Sequence, residues 1–145
     1  MAESSKSGQK QGALPLFDYE QAVPGEELGS YEYTLTEEQF RRFREAVEYD
    51  DARFPTIAVK HDGTSMRAKY TVTNSVNARQ VMEFFNAPIP GKKIRVTGKI
   101  VDKYVRRDKP YLVIQATATD EDGRVIDRTT TYQLKKTDEV GKKWG

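Results

Sequence analysis

The one histidine of the chain, His61, lies in the stretch YDDARFPTIAVKHDG, with Asp50 and Asp51 upstream and Asp62 beside it. Imidazole is the side chain that titrates nearest neutrality, and an acid on one ring nitrogen orients it for general acid–base work. His61 is therefore one candidate proton-transfer residue, with Asp50, Asp51 or Asp62 to orient it. A single histidine beside an Asp and a Gly also reads as a surface or structural residue. A second concentration of chemistry is KYVRRDKPYLVI, Lys103 to Ile114, where Arg106, Arg107 and Lys109 lie between two tyrosines. Guanidinium forks match phosphate oxygens, so these three are candidate binding residues for a phosphorylated ligand such as a nucleotide or coenzyme A. Tyrosines interleaved with cations also describe a stacking platform for single-stranded nucleic acid.

Composition separates some of these readings. The 145 residues carry 24 Lys and Arg against 22 Asp and Glu, a net charge of +2. A nucleic-acid binder usually shows a clearer positive excess, so no nucleic-acid partner is expected. With no cysteine and one histidine, disulfides, thiolate nucleophiles and the common metal-ligand sets drop out, and no metal is expected. No apolar run approaches the ~18 residues that span a bilayer, and the N-terminus lacks the apolar core of a secretory signal. The expectation is a soluble, cytoplasmic protein with no membrane partner.

The elements that must position these residues follow from the hydrophobic pattern. Residues 1–13, rich in Ser, Lys, Gln and Gly, read as a disordered tail, and 14–145 as one domain. A first strand is expected over roughly Leu28 to Thr34. TEEQFRRFREAVEY reads as a helix, with Thr36 and Gln39 as a capping box and Phe40, Phe43 and Val47 on a core-facing stripe. Residues 48–75 show no sustained period, with a short helix near Ser65 to Tyr70. From Val76 the pattern is strands: NARQVMEFF, then IRVTGKIVDKY after the Pro88, Pro90, Gly91 connection, then YLVIQATAT and RVIDRTTTYQL across a DEDG turn. Val105 to Pro110 thus reads first as a hairpin loop, with Tyr104 and Tyr111 as a cross-strand pair. The class is α+β with an antiparallel sheet.

Two long stretches carry a resemblance. FDYEQAVPGEELGSYEYTLTEEQFRRFREAV is similar to the opening of MaoC-like dehydratases and (R)-specific enoyl-CoA hydratases. PIPGKKIRVTGKIVDKYVRRDKPYLVIQATATDEDGRVIDRTTTYQL is similar to their C-terminal strands, above all in the Pro-Gly before the third strand and the DEDGRV turn. The likeness covers about residues 15 to 136. It implies a hot-dog fold, an antiparallel sheet wrapped around a helix, and units that pair. It also implies lyase chemistry: hydration of trans-2-enoyl thioesters, or dehydration of the hydroxyacyl form. The ligand would be a coenzyme A or acyl-carrier-protein ester, with coenzyme A entering as substrate and no separate cofactor.

The family's chemistry needs an Asp and a His five residues apart to activate a water. Five residues beyond Asp50 and Asp51 stand Pro55 and Thr56, and His61 lies ten residues beyond Asp51. The usual dyad is therefore absent at its usual spacing, and His61 and Asp51 are the candidates for its role. The expectation is a dyad-less hot-dog subunit that pairs with a catalytic one in a heteromer, or with a copy of itself. The alternatives are an active enzyme built on His61, an acyl-CoA thioesterase-like or acyl-CoA-binding protein, and a nucleic-acid module using the basic hairpin. Asn77, with Asn74, is the candidate for hydrogen bonding to the thioester.

Overall fold

The computed structural model describes residues 14–48, 61–72 and 75–135, with the side chain of Asp62 excepted. The expected tail at 1–13, together with Asp50, Asp51, Pro55, Thr56 and Asn74, lies outside the described residues. Five strands, β1 (Tyr31–Thr34), β2 (Val76–Phe84), β3 (Lys93–Arg106), β4 (Lys109–Asp120) and β5 (Val125–Leu134), form one antiparallel sheet in the order β1-β3-β4-β5-β2. Two helices are described, α1 (Glu37–Val47) and α2 (His61–Arg67). The expected antiparallel α+β class is the one found.

The alternation in β3 and β4 becomes a buried inner face. Ile94, Val96 and Ile100 on β3, and Leu112, Ile114, Ala116 and Ala118 on β4, are all shielded from solvent. Each large apolar side chain so buried contributes roughly 1.5–3 kcal/mol. Helix α2 lies against β3, β4 and β5. Its described residues are held by packing against the sheet. Met66 enters the cluster of Phe17, Tyr19, Leu28, Ile100, Leu112 and Ile114. Ser65 Oγ donates to the Gly29 carbonyl at 2.5 Å. Gly98 supplies the space: a Cβ there would stand 2.8 Å from Ser65 Cβ.

Two expectations shift. The short helix, described over His61–Arg67, ends before the expected Tyr70, because Tyr70 and Thr71 are drawn off to fix the N-terminal segment. Tyr70 donates to Glu26, and Thr71 bridges to Leu16. The first strand is also shorter than expected. Ladder pairing with β3 begins at Tyr31, while Leu28 and Gly29 instead bond Gly98 and Ser65. Helix α1 has its capping box, Thr36 with Gln39, but of the expected core stripe only Phe40 is buried; Val47 remains 44% exposed.

KYVRRDKPYLVI is a hairpin, as expected, but the loop is shorter than Val105 to Pro110, because Val105 pairs with Pro110 in the ladder. Arg106 pairs with Lys109 across a two-residue turn, and Tyr104 stacks on Tyr111 with centroids 5.1 Å apart and planes 9° off parallel. Lys103 does not belong to the free charge of the loop. Its Nζ donates to the carbonyls of Tyr19 and Ala22, at 2.7 and 2.9 Å, and ties the N-terminal segment to the sheet. Arg107 and Asp108 both adopt positive φ, 52° and 61°, the backbone of a turn that favours Asn-Gly. Replacing Arg107-Asp108 with Asn-Gly is expected to raise stability by about 1 kcal/mol, read as a higher urea midpoint at unchanged m.

Candidate active site

His61 opens α2 and points into the sheet rather than toward solvent, with 2% of its surface exposed. Its Nδ1 lies 3.2 Å from Asp127 Oδ1, and its Nε2 lies 2.9 Å from the Tyr33 hydroxyl. Three elements distant in sequence therefore meet: β1 brings Tyr33, α2 brings His61 and β5 brings Asp127. Register accounts for the meeting. Tyr31 pairs with Val96, Val96 with Ala118 and Ala118 with Asp127, so one row across the inner face runs from the edge strand to the acid. The start of α2 lies over this row, and the Tyr31 ring stands edge-on to the imidazole at 6.4 Å.

The chemistry of the cluster follows from its donors and acceptors. An ionised carboxylate can only accept, so Asp127 fixes the imidazole proton on Nδ1 and leaves the Nε2 lone pair to accept from Tyr33. Burial, followed by the Asp127 charge and Tyr31, pushes the Tyr33 phenol well above its ordinary value. Tyr33 is thus a neutral hydroxyl, not a phenolate. Asp127 is itself 1% exposed, and a buried carboxylate persists only where it is paired.

His61 is thus a buried residue and not a surface one. The acid that the described residues place on Nδ1 is Asp127, 66 residues away. Asp127 had left a trace in RVIDRTTTYQL, as an acid inside a β-branched run where Asp is rare. Tyr33 had left none, since a tyrosine in a strand is ordinary.

The other candidates stand elsewhere. Arg106, Arg107 and Lys109 are exposed at the hairpin tip. Tyr111, next to that tip, is seven positions along β4 from Ala118, the partner of Asp127, or about 24 Å at strand rise. The hairpin and His61 therefore occupy opposite ends of the sheet. Asn77 is exposed on the edge strand β2, paired to Gln133, at the hairpin end and remote from His61. Among the described residues no cluster of His, Cys, Asp or Glu could hold a metal ion, and no helix is long and apolar enough to cross a membrane.

No protein-family model matches the sequence, nor does any curated protein. Solved structures do match. A MaoC-like dehydratase from Rhodospirillum rubrum aligns at a TM-score of 0.60 and 16% identity, over 79% of this chain and 93% of that one. The monoamine oxidase regulatory protein from Archaeoglobus fulgius aligns at 0.67 and 13%, over 84% and 95%. The chain has a hot-dog fold. Another hot-dog structure alike to it is a C-terminally truncated HadBC (3R-hydroxyacyl-ACP dehydratase) complex from Mycobacterium tuberculosis, at 0.57 and 17%, over 79% and 98%. MaoC-like proteins thus stand among the hot-dog structures it resembles, in keeping with the sequence motifs. Identities this low carry the hot-dog scaffold, and the chemistry must be argued from the site.

Proposed function

We propose that this chain is a hot-dog unit that hydrates trans-2-enoyl thioesters or dehydrates the matching hydroxyacyl thioesters, with His61 and Asp127 handling the proton. The supporting observation is the buried Asp127–His61 contact at 3.2 Å. Adding water across an enoyl double bond requires a base for the water and a returned proton for the α-carbon, and an imidazole held in one tautomer by a carboxylate can do both. The five-residue dyad spacing is absent, yet an Asp and a His still meet, so this reading does not need a partner to supply the base.

Pairing remains part of the proposal. Among the described residues strand β2 is an edge with one side unpaired in the sheet order, and Phe84 and the adjoining Phe85 are 62% and 47% exposed. An apolar edge strand of this kind is a template for another chain, here a second copy or another hot-dog subunit. Arg106, Arg107 and Lys109 would take the phosphates of coenzyme A and Asn77 the acyl-bearing arm. Because the hairpin and His61 lie at opposite ends of the sheet, one chain could serve both only with the ligand extended along it. The second reading is an acyl-CoA thioesterase, since a base beside a water serves equally for attack on the thioester carbonyl.

The test is turnover of crotonyl-CoA and of longer and branched enoyl-CoAs by the purified chain, alone and with any hot-dog protein encoded beside it. Loss of the enoyl absorbance is expected, and release of free thiol instead identifies the thioesterase. Acyl-CoA is also expected to raise the melting temperature by linkage. Protection by DNA or RNA with none by acyl-CoA would place the protein in the nucleic-acid class.

A further inference from the structure

We propose that Tyr33 is the residue that exchanges the proton with the substrate, so that Asp127, His61 and Tyr33 form one relay ending in a phenol. The inference rests on the hydratase reading above and specifies which atom touches the ligand. Both imidazole nitrogens are committed, Nδ1 to Asp127 and Nε2 to Tyr33. His61 and Asp127 are 2% and 1% exposed, whereas Tyr33 is only partly buried and stands on the edge strand β1. A ligand entering from solvent therefore meets the phenol before it meets the imidazole. The Tyr33 oxygen, having donated its one proton to Nε2, keeps lone pairs free to accept from a water or a hydroxyl. Tyr31 stacks on the Tyr33 ring, 6.1 Å between centroids and 25° off parallel, and restricts its tilt.

The step balances without any added reagent. In hydration, a water O–H bond breaks as its oxygen bonds to the β-carbon of the enoyl group. The water proton passes to Tyr33 Oη while the Tyr33 proton passes to His61 Nε2, and the imidazolium is balanced by the Asp127 carboxylate. The enolate then takes a proton at its α-carbon from Tyr33 Oη, which is refilled from Nε2. One water has been added, and all three residues return to their starting state. Dehydration is the reverse.

The experiment compares Tyr33→Phe, His61→Ala and the double variant with the wild-type protein on the same enoyl-CoA, with melting temperatures recorded for each. The relay predicts that Tyr33→Phe lowers kcat by at least ~10²-fold with KM within about twofold. It also predicts that the double variant is no slower than the single ones, because groups acting as a unit are not additive. Turnover that is lost in His61→Ala but kept in Tyr33→Phe overturns the relay alone. A wild type without turnover overturns the hydratase reading and the relay with it, and turnover that survives His61→Ala overturns His61 as the base and therefore the relay. Should Tyr33→Phe fail to fold, fluorotyrosine at position 33 keeps the ring shape and makes the phenol more acidic: a changed kcat supports the relay, and an unchanged one overturns it.

Discussion

Replacing His61 with Ala is expected to lower enoyl-CoA turnover by ~10²- to 10⁴-fold, the usual contribution of a positioned acid–base group. It also removes the partner of Asp127, which is 1% exposed. A buried acceptor left unsatisfied costs about 1–3 kcal/mol, so a fall in melting temperature should accompany the loss of rate. Asp127→Asn separates the two effects. The amide fills the same space and can donate to Nδ1, which moves the imidazole proton to Nε2. The nitrogen facing Tyr33 then offers a proton instead of a lone pair, and the base is lost with the fold intact. Loss of the oriented tautomer in this manner is worth up to ~10⁴ in turnover. Steady-state kinetics beside circular dichroism decide it. A folded Asp127→Asn protein within twofold of the wild-type rate would show that the contact only holds α2 in place.

Gly98→Ala should be the most damaging single methyl in the sheet. Its Cβ would stand 2.8 Å from Ser65 Cβ, well inside van der Waals contact, and Ser65 cannot retreat because its hydroxyl is bonded to the Gly29 carbonyl at 2.5 Å. Overpacking of this kind costs typically 1–3 kcal/mol. The strain falls on α2, whose first residue is His61, so turnover should drop as well as the urea midpoint. A second change, Ser65→Gly, opens the space and is expected to restore part of the stability, giving coupling between the two sites rather than additivity. Equal midpoints for Gly98→Ala and the wild type would contradict the close seating of α2 on β3.

The sheet was legible because its signal is local. Ile94, Val96, Gly98 and Ile100 alternate with polar residues at the strand period, and the Gly123 turn and the Tyr104–Tyr111 pair follow from residues only a few positions apart. The long stretches similar to MaoC-like proteins pointed to the hot-dog arrangement. The end of α2 was misplaced because so short a run holds too little periodicity to mark a boundary, and the contacts of Tyr70 with Glu26 and of Thr71 with Leu16 set it. The stripe of Phe40, Phe43 and Val47 shows the converse. Helical spacing fixed the face they share, but only contact with the rest of the chain decides how much of that face is covered.

The same division runs through the site. From the sequence alone came the inventory: one histidine, no cysteine and a basic hairpin. An acid five residues from a histidine can be read from spacing because the backbone between them is short. Asp127 is 66 residues from His61, and the distance between such residues is set by strand register, not by chain length. Only the pairing of β1 with β3, β3 with β4 and β4 with β5 places Tyr33 and Asp127 on either side of the imidazole.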